Sequence, residues 1–205
     1  MISIRSGMGL GDSLYLQSVV RHFVGKGQKI EACSAWPDVF MPLGAMVKVS
    51  PFRRNLIDRL AHYAQRRGVI GTTQFDDCCI QAGVHEQIDL RIDWKPLNTD
   101  LISNLRSSGK PIIALQMPRA PFGDRTDKYG IELLPDWQRL QRAIDLIGQR
   151  AFIVQIGSGQ PLHSFSGIDF DLANKTTVCD LLDVAWAADA FLGYCSFIIP
   201  LAESF

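Results

Sequence analysis

Ile2-Ser3-Ile4-Arg5-Ser6-Gly7-Met8-Gly9-Leu10-Gly11-Asp12-Ser13, at the head of a 205-residue chain, is the stretch whose reading decides the fold. A short apolar strand runs into three glycines at alternate positions, and a carboxylate stands where a helix begins. Glycine removes the Cβ, so backbone can pass close to a ligand, while the first N–H groups of a helix stay unpaired and face the same space. Leu14, Leu16, Val19, Val20 and Phe23 supply the apolar stripe of that helix, and Gly25 and Gly27 end it. A strand, a glycine turn and a helix in this order open a βαβ unit.

The alternation continues. Lys29–Ala32 is the expected second strand, a short helix follows Pro37, Met46–Val49 is a third strand, and Leu56, Ile57, Leu60 and Tyr63 place a helix over Asn55–Gln65. Cys78-Cys79 reads as a buried strand pair. The turn-rich Ser107-Ser108-Gly109-Lys110-Pro111 then precedes Ile112-Ile113-Ala114-Leu115, which sets a domain boundary between residues 107 and 108. Beyond it come a polar loop from Met117 to Leu134, a helix from Pro135 to Gly148, the strand Ala151–Ile156, a helix capped by Thr177 and a strand Ala190–Gly193. The expectation is α/β, with two Rossmann-like, doubly wound parallel sheets over 1–107 and 108–205, the second incomplete.

Composition narrows the function classes. Twenty-one basic and 21 acidic residues cancel, so no whole-chain field draws polyanions, and nucleic-acid binding is disfavoured. The five cysteines are odd in number and lack CxxC spacing, which favours a reducing, cytoplasmic compartment and argues against a zinc site. No run approaches the ~18–20 apolar residues of a membrane span, so at most peripheral membrane contact is expected.

Four places carry possible chemistry. Asp12 after Gly9 and Gly11 is either a helix N-cap or a general base at the carboxyl edge of a strand. Position 12 is Asp where a dinucleotide fingerprint needs glycine, and no Gly-Lys-Ser/Thr of a P-loop is present. Arg125 and Lys128, in the loop Arg119–Lys128, are either solvated surface or the grip on a nucleotide diphosphate. Gly157-Ser158-Gly159 is a turn that passes a base or ribose, or a turn alone. Gly193-Tyr194-Cys195-Ser196 is a backbone anion nest or a plain turn. His22, His62, His85 and His163 form no site by spacing, with His62 on the polar part of a helix, and the four tryptophans read as packing residues.

In their order these pieces resemble the heptosyltransferase-type glycosyltransferases, family 9, the ADP-heptose:lipopolysaccharide heptosyltransferases. The resemblance rests on Gly11-Asp12 ahead of the first helix, Arg125-Thr126-Asp127-Lys128 before Asp136-Trp137, Thr176–Leu182, and Ala188-Asp189-Ala190-Phe191-Leu192-Gly193. It implies a GT-B architecture, a nucleotide sugar as donor and a glycan or lipid-linked acceptor, with no cofactor and no metal. It further implies Asp12 as base beside Gly9 and Gly11 on the acceptor side, and Arg125, Lys128, Gly157 and Ser196 on the donor side. After Gly193 the family pattern of Asp-Ser/Thr-Gly and His-Leu-Ala is replaced by Cys195-Ser196-Phe197 and Pro200-Leu201-Ala202, which leaves open a non-catalytic nucleotide- or glycan-binding module.

Overall fold

The computed structural model describes residues 1–52, 58–62, 73–118, 136–194 and 196–205. The chain packs as two compact units, Met1–Asp93 with Ile199–Phe205, and Trp94–Ile198. The line between them falls at 93/94 rather than at 107/108. The reason is α3 (Thr99–Arg106), which buries Leu101 and Leu105 and is held to the second unit through side-chain bonds.

In the first unit β1 (Ile2–Arg5) leads to α1 (Leu10–Gly25), β2 (Ile30–Ser34), a kinked 3-10 segment (Pro37–Met46), β3 (Val47–Pro51), β4 (Arg59–Leu60) and α2 (Gln74–Gln81). The sheet is parallel with order β3-β2-β1-β4; Ile2 pairs with Ile30, and Ile4 with Arg59. α1 forms where its stripe of Leu14, Leu16, Val19 and Val20 leaves water entirely, each burial contributing about 1.5–3 kcal/mol. It ends at Lys26 and Gly27, the latter at a φ of 75° that favours glycine. Two expectations are corrected here. The described part of Asn55–Gln65 holds strand β4, because Asp58 hooks onto β1 and pulls the chain into the sheet. Cys78-Cys79 lies in helix α2, whose N-cap Thr73 and Asp76 form a reciprocal capping box.

In the second unit α3 precedes β5 (Ile112–Gln116), α4 (Trp137–Gly148), β6 (Phe152–Ile156), β7 (Phe170–Asp171), α5 (Val178–Ala187) and β8 (Ala190–Leu192); α6 (Ile198–Glu203) follows. The order β7-β6-β5-β8, again parallel, repeats the first sheet. Leu115, Leu140, Ile144 and Ile153 form its core between β5, β6 and α4. Asp136 caps α4 by accepting from Gln138 N and Arg139 N, and Thr177 caps α5 as expected. Residues after Ile198 return to the first unit, where Ile92 N donates to Ser204 O at 3.1 Å.

One device recurs in both sheets. Asp58, just before β4, accepts from Ser3 N at 2.7 Å, and Asp189, before β8, accepts from Ile112 N at 2.8 Å. Asp169, before β7, does the same for Ile153 N at 2.8 Å. Each carboxylate thereby satisfies a backbone donor near the start of the neighbouring strand and sets the register. Among the described residues no helix is long and apolar enough to cross a membrane.

Candidate active site at the carboxyl edge of the first sheet

The strand order determines where a ligand fits. From β1 the chain turns to β2 on one side, and β4 lies on the other, so the order reverses between β1 and β4. In open α/β sheets the crevice for ligands opens outside the carboxyl ends of the strands at such a switch point. A cleft of about 460 Å3 lies there, lined by Arg5 at the end of β1 with Ser6, Gly7 and Met8 after it, Phe52 after β3, Leu60 at the end of β4 and His62 just past it. Its volume is that of a small-molecule site. The Arg5 guanidinium stacks 5.5 Å from the centre of the Phe52 ring, which keeps a cation at the apolar wall.

The glycine stretch is a built loop. α1 starts at Leu10, so Gly9 is the N-cap and Gly11 lies inside the first turn. Asp12 is therefore the third helical residue and not the cap; its Oδ2 accepts from Gly9 N at 2.9 Å, the returning half of a capping box. The helix N-terminus favours the negative charge. Trp36 Nε1 donates to Met8 O at 2.9 Å, Ser34 Oγ accepts from Trp36 N, and Ser13 Oγ pairs with Ser34 Oγ at 2.8 Å. The end of β2 thus holds the loop. A Cβ on Gly7 would meet Asp12 Oδ2 at 2.3 Å and His62 Cδ2 at 2.7 Å, so carboxylate and imidazole both occupy the space that a side chain at this position would take. Asp12 borders the cleft through Gly7, and His62 lines it.

The other predicted positions divide. Gly157 ends β6 with φ 131°, a conformation that favours glycine, and a Cβ there would come within 3.2 Å of Met117 Cβ. Gly159 follows with φ 106°, its N–H bonded to Asn174 Oδ1 at 2.7 Å, so the glycine pair forms a braced turn. Ser196 Oγ accepts from the Gln116 side-chain amide, and Gln116 Oε1 in turn accepts from Tyr194 N at 3.4 Å. Gln116, buried at the end of β5 beside β8, stands at the second sheet's own switch point and was not singled out by sequence. Arg125 and Lys128 lie outside the described residues, as does Cys195. Among the described residues no group of three His, Cys, Asp or Glu side chains is placed to hold a metal.

His62 is the functional candidate that sequence reasoning missed; it sits just past β4 and not on a helix. Trp36 and Trp94 each donate an indole N–H to a hydrogen bond, buried in the case of Trp94, whereas Trp137 stacks on His163 at 5.8 Å and Trp186 is partly exposed under Arg106.

Two parallel four-stranded α/β sheets with the same switch-point order define a GT-B-like fold. Solved structures it resembles include glycosyltransferases, heptosyltransferases among them. The iron-containing dodecameric glycosyltransferase TibC from enterotoxigenic E. coli H10407 matches at TM-score 0.62 and 16% identity, over 98% of this chain and 55% of that one. E. coli ADP-heptose LPS heptosyltransferase II matches at 0.62 and 13%, over 98% of this chain and 81% of that one. The glycosyl transferase family 9 protein of Veillonella parvula DSM 2008 matches at 0.63 and 11%, over 98% and 76%. A TibC structure is a complex with ADP-D-beta-D-heptose. The chain thus spans about half the length of TibC. No family model matches the sequence, and no curated protein matches it. At these identities the likeness establishes the fold.

Proposed function

We propose that this chain takes part in transfer of a sugar from a nucleotide sugar to a hydroxyl of a glycan or lipopolysaccharide-type acceptor, with inversion, in the cytoplasm. The observation that carries this reading is Asp12, held by Gly9 N–H at a helix N-terminus beside the switch-point cleft of a GT-B-like fold. In the proposed step the Asp12 carboxylate takes the acceptor hydroxyl's proton. The oxygen attacks the anomeric carbon from the face opposite the diphosphate, and the bond from that carbon to the diphosphate breaks. Arg125 and Lys128 are proposed to stabilise the departing diphosphate, with Gly157 and Ser196 on the donor side.

A second reading, a binding module without turnover, draws support from Gln116. Its carboxamide occupies hydrogen-bonding capacity of Ser196, which the transferase reading assigns to the donor, and also accepts from the neighbouring Tyr194 amide. The experiment that separates the two is calorimetric titration with ADP, UDP, GDP and their sugar conjugates, without metal, on wild type and Lys128→Ala, followed by a transfer assay of Asp12→Asn. Saturable binding of one nucleotide, weakened by Lys128→Ala, with transfer lost in Asp12→Asn, supports the enzyme. Binding without transfer in the wild type supports the module; absence of binding to every nucleotide and conjugate overturns the transferase and a nucleotide-binding module, and leaves a glycan-binding one.

A further inference from the structure

His62 stands at an unusual meeting of elements. It lies two residues past β4, while Asp12 is in the first turn of α1, yet its ring and the Asp12 carboxylate converge on one glycine that has no side chain to separate them. The ring also lines the cleft, which the Asp12 side chain only borders. Asp12 is secured from one side, by Gly9 N–H on its Oδ2. One hydrogen bond leaves the carboxylate free to turn, and the Cδ2 edge of the imidazole, in the space beside Gly7 that the carboxylate also occupies, can hold its rotamer by contact. Gly7 is then explained as the residue that lets strand β4 bring an imidazole to a carboxylate on α1.

We propose that His62 is the positioning residue for Asp12, fixing the carboxylate at the mouth of the cleft so that it meets an acceptor hydroxyl entering between Phe52 and Met8. The inference rests on the glycosyl-transfer reading for its function, and on the Gly7 geometry for the pairing itself. His62 holds the base, and Asp12 exchanges the proton. No bond to the sugar involves the imidazole.

The test uses the full chain and has two arms. With histidine ring carbons labelled, the four histidines give separate cross-peaks, and the His62 peak is the one lost in His62→Gln. Asp12→Asn shifts that peak and leaves the His163 peak, in the other unit, in place; an unmoved His62 peak overturns the pairing. In the second arm, transfer is followed with the ADP, UDP or GDP sugar that titration selects. His62→Gln lowers kcat about ten- to hundredfold with donor KM unchanged, and adds less than twofold to the loss in Asp12→Asn, because a positioning residue acts through a group already removed. A His62→Gln enzyme with wild-type kcat, or additive losses, overturns the role. If the wild type turns over none of these donors, the glycosyl-transfer reading fails by itself, and the spectral arm still decides whether Asp12 and His62 are paired.

Discussion

Gly7→Ala tests the geometry of the site most directly. The added Cβ would stand 2.3 Å from Asp12 Oδ2, 2.6 Å from its Cγ and 2.7 Å from His62 Cδ2. Non-bonded heavy atoms settle at about 3.5–4 Å, so the carboxylate must retreat by roughly 1 Å. That movement breaks the 2.9 Å bond from Gly9 N. A hydrogen bond to a charged acceptor contributes about 1.5–3 kcal/mol, and the stiffer unfolded chain of an alanine variant offsets about 0.4–1 kcal/mol. The expected net loss is about 1–2 kcal/mol, read by scanning calorimetry as a fall in Tm of about 5–15 °C for a unit of this size. Transfer falls about a hundredfold if Asp12 is the base, since a displacement of that size disrupts the reacting geometry. Gly25→Ala is the control. Nothing lies within 4 Å of its Cβ position, and its Tm is expected to stay level or rise. A Gly7→Ala protein with wild-type Tm and intact transfer would refute the argument that Asp12 and His62 crowd this glycine.

Other outcomes follow from single contacts. Asp183 is fully buried and accepts from Trp94 Nε1 at 2.6 Å, Asn98 N at 2.7 Å and Leu97 N at 3.1 Å; Asp183→Ala strands all three donors and is expected to cost about 3–5 kcal/mol in urea unfolding. Trp36→Phe removes the donor to Met8 O and is expected to cost about 1 kcal/mol, with faster amide exchange in residues 7–9. Asp58 is held below the usual carboxylate range by the Ser3 backbone N–H and hydroxyl. Its stabilising contribution is present above pH ~4 and is lost as pH falls through the lowered value; Asp58→Asn should flatten that part of the acid unfolding profile. Burial depresses the His22 imidazole, with Lys26 adding to the effect and Glu86 opposing it. The contribution of His22 is therefore complete above pH ~6.5 and declines below it, and His22→Gln should remove that decline in a stability series from pH 7.5 to 5.

The strands were legible wherever apolar runs were long enough to be buried on both faces. Ile112–Leu115 and Ala151–Ile156 became β5 and β6 with ends shifted by a residue, and Thr177 caps its helix as its position before an apolar stripe implied. β4 was not legible. Two residues carry no periodicity, and what makes them a strand is pairing with Ile4 and Arg5 plus the hook of Asp58 on Ser3, both more than fifty residues away in sequence. The boundary at 107/108 followed real turn chemistry, but α3 packs with α5 through bonds such as Asn98 Nδ2 to Asp180 Oδ1, and no local signal carries that choice.

By itself the sequence determined the class of fold and one end of the candidate site. Capping chemistry is local, and Gly7, Gly9 and a carboxylate three residues past the helix cap specify a strand–loop–helix with an acid in its first turn. Only the tertiary structure decided which strand lies beside β1, and with it the location of the cleft and the identity of Asp12's neighbour. That decision depends on parallel pairing, which joins segments remote in sequence, so His62 and Gln116 became visible as candidate residues only once the order β3-β2-β1-β4 and its repeat β7-β6-β5-β8 placed them at the two switch points.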